Sequence, residues 1–264
     1  MFAKLFVMSA LSVCLFAQND GLTARDLFYS SKDLIGKAPA SGKPVKRPAA
    51  TRARRSSGNG DENGVSVEKF GPLGLRYTLL QQLKTGQNEE VLPDSTFRAG
   101  DSIRISVMAN EPGYLYVIQR GSTGAWNVLF PQPGTPEVNR VEAGRNYEIP
   151  GGDGEYFTFD EHAGQEKIYV LLSRAAVRDL DNLILQVQQG HQPGDPETVA
   201  SGAADRIMQD LRKGSGTRDL VFTQVNDPSP SQAAPGEKAI YVVNKASSEK
   251  PDSEIVIDMT LNHR

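Results

Sequence analysis

Short runs of alternating apolar and polar residues fill the segment from 97 to 173, and this pattern constrains the fold most strongly. In one run Ile103, Ile105 and Val107 share a side, as the two-residue period of a half-buried strand requires. The residues between the runs are rich in Gly and Pro, which favour turns. Closely spaced strands separated by such turns predict an antiparallel, immunoglobulin-like β-sandwich.

The same alternation continues beyond this segment, so the body of the chain is expected to be mainly β. Residues 168–172 form an unbroken apolar run, which favours a central strand covered on both faces. The other predicted strands cover residues 75–83, 103–107, 114–118, 126–130, 147–149, 156–159, 220–222, 239–243 and 255–261.

The period changes after residue 174, where apolar residues recur at helical spacing. The recurring residues are Leu180, Leu183, Ile184 and Val187. Their spacing indicates one apolar face of a helix, and residues 203–213 predict a second helix. We therefore predict one β-sandwich domain over residues 64–264, with a small helical insertion near residues 175–213.

Four short motifs follow one another in the predicted domain. They are Gly100-Asp101-Ser102-Ile103-Arg104, Gly113-Tyr114-Leu115-Tyr116-Val117, Leu129-Phe130-Pro131 and Leu172-Ser173-Arg174. In this order they resemble a bacterial family of exported proteins, the domain of unknown function 4384. The resemblance covers residues 65–173 well and the C-terminal part loosely. It implies an envelope or secreted β-domain, and it supplies no established active site from which a catalytic residue could be assigned.

The first seventeen residues have the features of a secretory signal peptide. Lys4 precedes an apolar core at residues 5–16, which is too short to span a bilayer as a helix. Cleavage after Ala17 would export the protein to the periplasm or the extracellular space. No later segment approaches eighteen apolar residues, so no transmembrane segment is predicted in the mature chain. Cys14 is the only cysteine, and we favour an ordinary signal-core cysteine over lipidation at this site, which Val13 does not suit.

A short helix is predicted within residues 18–35, and a linker follows it. Thr23 and Asp26 have the spacing of a capping box, and we expect this helix to pack on the domain rather than to dock a partner. Residues 36–63 are rich in Pro, Gly and Ser and are predicted to be disordered.

Charge is distributed unevenly along the chain. Residues 1–64 contain ten Lys and Arg against five Asp and Glu, a net charge of +5, so the chain's total of −3 leaves −8 for the rest. The basic residues at 37–55 favour a solvated spacer, with contact to an anionic surface as the alternative. A body of net charge −8 does not favour specific nucleic-acid binding, which needs clustered Lys and Arg.

Two groups of residues are candidates for a site. Asp153, Glu155 and Asp160 could hold a cation between two loops, although acidic turn residues are the more ordinary interpretation. The second group is aromatic, and its members are Tyr114, Tyr116 and Trp126. These side chains could form a ligand-binding face, although packing is favoured for aromatic residues in a sandwich.

Other polar residues and motifs point away from catalysis. Asp101 and Arg104 are expected to pair with each other or with Arg174 and to stabilise the fold. The sequence contains no metal-binding, nucleotide-binding or nucleophile motif, and no cofactor is predicted. The function we expect is a non-enzymatic binding or assembly module whose partner is a protein or polymer of the cell envelope. The alternative is a hydrolase that acts on envelope polysaccharide or peptide through loop carboxylates.

Overall fold

The computed structural model describes residues 21–31, 34, 70–121, 126–132, 139–182, 184, 201–214, 219–227, 236–249 and 252–264. The predicted signal peptide with Cys14 and the predicted linker lie outside these residues, as does the basic segment 37–55. Those three interpretations therefore stay predictions. Within the described residues, no helix is both long enough and apolar enough to cross a membrane.

Strands dominate the described residues. They are β1 (Leu73–Gln82), β2 (Asn88–Val91), β3 (Thr96–Phe97), β4 (Ser102–Ala109), β5 (Gly113–Arg120), β6 (Trp126–Phe130), β7 (Arg140–Val141), β8 (Asn146–Ile149), β9 (Phe157–Thr158), β10 (Gly164–Ser173), β11 (Leu220–Asn226), β12 (Lys238–Asn244) and β13 (Glu254–His263). The helices are α1 (Ala24–Tyr29), α2 (residues 178–182) and α3 (Ser201–Gly214), with a 3₁₀ helix at Lys245–Glu249.

The strands form two packed sheets. Sheet A has the order β11-β12-β1-β4-β8, with β2 beside β1 and β9 beside β4. Sheet B has the order β3-β13-β10-β5-β6, with β7 beside β5. The neighbours β1-β4-β8 and β5-β10-β13 follow the A-B-E and C-F-G orders of an immunoglobulin-like sandwich. The predicted mainly β sandwich is thus confirmed, and the insertion between β10 and β13 contributes α2, α3, β11 and β12.

The core lies between the sheets and is built mainly from alternate residues of β1, β4, β5, β10 and β13. On β4 the inward residues are Ile103, Ile105 and Val107, as the alternation predicted, and all three are buried. The central strand β10 pairs with β13 on one side and β5 on the other, so its inward residues meet apolar neighbours from both. Packing of the two sheets against each other thereby buries the inward-facing apolar residues of these strands.

Helices cover the outer face of sheet B. The side chains of Tyr116, Leu180, Ile184 and Met208 pack together there and are buried. The Tyr116 hydroxyl donates to Asp181 Oδ1 at 2.8 Å and accepts from Val177 N at 3.0 Å. The β5 face that carries Tyr116 is therefore covered by the insertion, so this side chain is a packing residue.

The outer face of sheet A is covered by α1. The capping box predicted at Thr23 and Asp26 is present, with each residue's side chain accepting from the other's backbone N–H. Phe28 is fully buried, and its ring lies 5.3 Å from that of Tyr241 on β12. Packing of this helix on the domain agrees with the expectation from its apolar residues.

Two glycines in the family motifs have clear backbone reasons. Gly100 has φ +87°, in the left-handed region that other residues avoid. A Cβ on Gly113 would lie 2.7 Å from the carbonyl oxygen of Ser173, so only glycine lets β5 approach β10 at that level.

The sequence pattern missed several short strands. β2, β3 and β7 each have four residues or fewer, and their alternation is too short to recognise. The strand predicted at 156–159 is limited to Phe157–Thr158. Arg104 accounts for part of this difference, because its Nε donates to the carbonyl oxygen of Glu155 at 2.7 Å and its guanidinium lies 4.4 Å from the Tyr156 ring.

One end of the sandwich is closed by a buried polar network, and we call it the closed end. Arg174, just after β10, donates to Glu111 Oε2 at 2.8 Å and to the carbonyl oxygens of Gly71 and Ser247. Asn110 accepts from the backbone N–H of Gly74 at 2.6 Å. These bonds tie the β4–β5 turn to the end of β10 and to the 3₁₀ helix.

Candidate functional site

At the opposite end of the sandwich, the inward-facing rows of sheet B change from apolar to polar. The row on β5 ends in Gln119, the row on β10 begins with Glu166, and the row on β13 ends in His263. Further into the sandwich these rows are apolar. We call this end of the molecule the open end.

A cavity of about 180 Å³ lies between the two sheets at the open end, and we call it the end cavity. Its apolar lining comes from Ile103, Leu129, Phe157, Phe159, Ile168 and Leu261. Its polar lining comes from Gln119, Thr158, Asp160, Glu166 and His263. An apolar interior with a few polar groups is typical of small-ligand sites.

Hydrogen bonds and ring contacts orient the polar side chains of the cavity. Gln119 Nε2 donates to Glu166 Oε2 at 3.0 Å. The His263 ring lies 5.0 Å from the Phe159 ring, which in turn stacks on Phe97 at 4.8 Å. His263 is 7% exposed, and its Nδ1 is buried with no hydrogen-bond partner among the described residues. A buried nitrogen without a partner is costly for a fold, so it requires an explanation.

The charges around the end cavity are mostly negative. Asp160 accepts from the backbone N–H of His162 at 2.8 Å, and that bond, aided by the His162 ring, holds the pKa of Asp160 below its usual value. Glu166 contributes the second carboxylate. None of the described lining residues is Lys or Arg. The cavity is therefore an apolar space with acidic groups in its lining.

The aromatic candidates from the sequence lie elsewhere. Tyr116 and Trp126 are 0% and 1% exposed, and Tyr114 packs partly buried against the same cluster. The Trp126 ring lies 5.2 Å from that of Tyr169. The structure thus places these side chains in the packing under the helical insertion, and they do not form an open ligand-binding surface.

The acidic candidates are not brought together. Asp153 is exposed in a turn, Glu155 accepts from Gln132 at 3.4 Å, and only Asp160 lines the end cavity. Within the described part of the chain, no group of three or more His, Cys, Asp or Glu side chains is arranged to hold a metal ion. The geometry does not support a cation site at these three carboxylates.

The expected pairing of Asp101, Arg104 and Arg174 is wrong. Asp101 accepts from a backbone N–H of its own turn at 2.8 Å. Arg104 donates to Glu148 Oε2 at 2.8 Å, whereas Arg174 pairs with Glu111. Arg174 is out of reach of the other two residues because of their positions along the strands. Asp101 and Arg104 lie where β4 begins, at the open end, whereas Arg174 follows the last residue of β10, at the closed end.

The sequence pattern did not identify Gln119, Glu166 and His263 as a group. Each lies at or near the end of a strand, where a polar residue is ordinary. Strand register brings them to the same end. On β10, Ile168 pairs with Gln119 of β5, and Gly164 pairs with His263 of β13, so Glu166 lies between these two levels. The sequence offered one signal for this group. Each of the three polar residues lies two positions beyond an inward-facing apolar residue of its strand and therefore faces inward as well.

The fold and the cavity define an immunoglobulin-like β-sandwich with an internal site at one end. Residues 96–176 match the family model described as domain of unknown function (DUF4384), which confirms the resemblance of the four motifs to this domain. The matched segment contains every described lining residue of the end cavity except Leu261 and His263. No curated protein and no solved structure gives a significant match to the chain.

Proposed function

We propose that this protein is a non-enzymatic binding module of the bacterial cell envelope and that it holds its ligand at the open end. The end cavity is the observation that supports this proposal. Its polar groups lie where three apolar rows end, beside a space that the protein's own side chains leave unfilled. Polar residues in such a position are well placed to orient a ligand.

Binding fits the cavity better than catalysis does. Asp160 and Glu166 line the same cavity, which is the feature that a hydrolase would need. However, the pKa of Asp160 lies below its usual value, whereas a general acid needs a raised pKa. The lining hydroxyl, that of Thr158, shares a hydrogen bond of 2.9 Å with Ser102. The hydrolase alternative is therefore the weaker one.

The envelope location in this proposal is supported by the N-terminal sequence and by the family resemblance. If the signal peptide is removed, N-terminal sequencing of the exported protein should begin near Gln18. A retained Met1 in the cell-associated protein would contradict export. A lipid on Cys14 would instead place the protein on a membrane anchor.

The binding proposal is tested by blocking the cavity. Thr158 is exposed and lines the end cavity, so Thr158→Trp should fill the entrance at little cost in stability. Thr85→Trp is the matched control, because Thr85 is exposed in the β1–β2 turn and does not line the cavity. Capture of envelope components on the immobilised full chain should be lost with Thr158→Trp and kept with Thr85→Trp.

Other outcomes of this experiment would contradict the proposal. Equal capture by both variants would show that the envelope components do not bind in the end cavity. Release of soluble fragments from purified envelope polymer, abolished by Thr158→Trp, would favour the hydrolase. If Thr158→Trp lowers the melting temperature by more than a few degrees, Thr158→Phe gives the same comparison with a smaller ring.

A further inference from the structure

We infer that the end cavity accepts an ammonium or guanidinium group carried on a short apolar stem. An alkylamine or a lysine side chain of a partner polypeptide has this chemistry. The inference rests on the proposed function, because it names the class of ligand for the same cavity. Three features of the lining carry it, namely its apolar interior, its charge and the orientation of its polar groups.

The interior of the cavity suits an alkyl chain. Ile103, Ile168 and Leu261 contribute apolar side chains from strands β4, β10 and β13, two of them on sheet B and one on sheet A. The volume of about 180 Å³ is close to that of a cavity of roughly 150 Å³ that binds benzene in another protein. A stem of four or five carbon atoms would therefore find apolar contacts on both sides.

The charges of the lining select a cation. Asp160 and Glu166 are both carboxylates, and the lining residues that the structure describes include no Lys or Arg. An anion entering this space would be repelled by two like charges, that of the half-buried Glu166 and that of Asp160, whose side chain is 68% exposed. A cation would be attracted instead, and the Phe157 ring in the lining could add a cation–π contact.

The carboxylate of Glu166 is held in place at the cavity. Gln119 donates to its Oε2 at 3.0 Å, which restrains the side chain before any ligand arrives. A carboxylate has acceptor capacity for several donors, so this bond leaves room for a ligand N–H. A restrained acceptor loses less conformational entropy on binding than a free one.

Three four-carbon probes separate the effect of charge from the effect of the apolar stem. They are n-butylamine, n-butanol and butyrate, which are cationic, neutral and anionic at pH 7. We expect the full chain to bind n-butylamine most tightly and butyrate least tightly in calorimetric titrations. The affinity for n-butylamine should fall as salt is added, because screening weakens attraction between charges.

Charge-removing variants locate the effect at the cavity. Glu166→Gln should weaken n-butylamine binding about tenfold, the equivalent of one charge-assisted hydrogen bond. Asp160→Asn should weaken it as well, while n-butanol binding stays unchanged in both. Glu161→Gln is the matched control, because Glu161 is an exposed neighbour that does not line the cavity. An equal loss in the control would assign the effect to general surface charge and overturn the inference.

A peptide pair distinguishes the two sources of the cation. Acetyl-Gly-Lys-Gly-amide carries the lysine side chain, and the norleucine analogue carries the same stem without the charge. Binding of the lysine peptide but not of the analogue supports a polypeptide partner, whereas binding of n-butylamine alone supports a small amine. Both results retain the inference about the cation.

Two further results separate failure of this inference from failure of the proposed function. If n-butanol and n-butylamine bind equally, the cavity binds apolar groups without regard to charge, and only the inference about the cation is overturned. If no probe binds at millimolar concentration, that inference is also overturned. The proposed binding function is then decided independently by envelope capture with Thr158→Trp and Thr85→Trp.

Discussion

The two ends of the sandwich use similar polar residues in different ways. At the closed end, Arg174 neutralises Glu111 and also bonds to carbonyl oxygens, so the buried charges are balanced within the chain. At the open end, Gln119, Glu166 and His263 line a space between the sheets. Each end keeps one buried atom without a partner among the described residues, namely Glu111 Oε1 and His263 Nδ1. Burial alone therefore does not identify a functional group, because what the group faces decides its role.

Removing the buried charge at the closed end should have the largest effect on stability. Arg174→Ala leaves the carboxylate of Glu111, which is 5% exposed, without its cation. Loss of one partner of a buried ion pair typically costs about 3–5 kcal/mol in the free energy of unfolding. Urea denaturation of the full chain measures this cost.

The control for Arg174→Ala is Lys213→Ala. Lys213 pairs with Asp210 at 3.6 Å on the surface of α3, with both side chains largely exposed. Such pairs contribute about 0–1 kcal/mol. A loss at Arg174 no larger than that of the control would show that the closed end does not hold the fold together.

The Tyr116 hydroxyl is buried and hydrogen-bonded under the helical insertion, so replacing this residue should destabilise the fold, as should replacing Arg174 at the closed end. Tyr116→Ala removes a fully buried ring under the helical insertion and should cost about 3 kcal/mol or more. Tyr116→Phe keeps the ring but loses the bonds to Asp181 and Val177, so it should cost about 1 kcal/mol. Melting temperatures of both variants test this order. A melting temperature unchanged in Tyr116→Ala would mean that the insertion does not cover this face.

Stability should decline in alkaline solution because buried tyrosines resist ionisation. Burial, with a contribution from Asp258, raises the pKa of Tyr77 to about 12, and burial also raises the pKa values of Tyr116 and Tyr241. In the unfolded chain these groups ionise near pH 10, so the unfolded state releases protons first. The stabilisation is fully present below pH 10 and is lost as the pH rises towards 12, by about 2–3 kcal/mol for Tyr77. Unfolding curves at pH 8, 10 and 11 measure it, and a flat profile would contradict the burial of these rings.

Replacing a buried polar side chain with an apolar one should change the free energy of unfolding less at the open end than at the closed end. His263→Phe keeps a ring beside Phe159 and removes an unpartnered nitrogen, so stability should stay within about 1 kcal/mol of the original or rise slightly. Asn110→Leu is the matched change at the closed end, where Asn110 bonds to Gly74 and Pro72. It should be clearly more destabilising. The reverse order would assign the structural role to the open end.

Much of the fold could be predicted from the local spacing of apolar residues. Trp126–Phe130 was predicted with its observed bounds, and the helix at residues 203–213 was predicted to within a few residues. Local patterns suffice there because each element contains its own signal. The end cavity could not be predicted in this way, because Glu166 and His263 are distant in sequence and meet only through strand register. The error at Arg174 has the same cause, since its partner Glu111 is set by the topology and not by spacing.

The most direct test of the contrast between the ends is a nuclear magnetic resonance titration of the ¹⁵N-labelled full chain with n-butylamine. If the open end is a cation site, backbone amide shifts should concentrate at residues 158–160 and at Glu166 and His263, and the side-chain amide of Gln119 should move with them. The amides of Asn110, Glu111 and Gly113 at the closed end should stay in place. Shifts centred on the closed end, or no shifts up to a millimolar excess of the amine, would show that the open end is not a cation site.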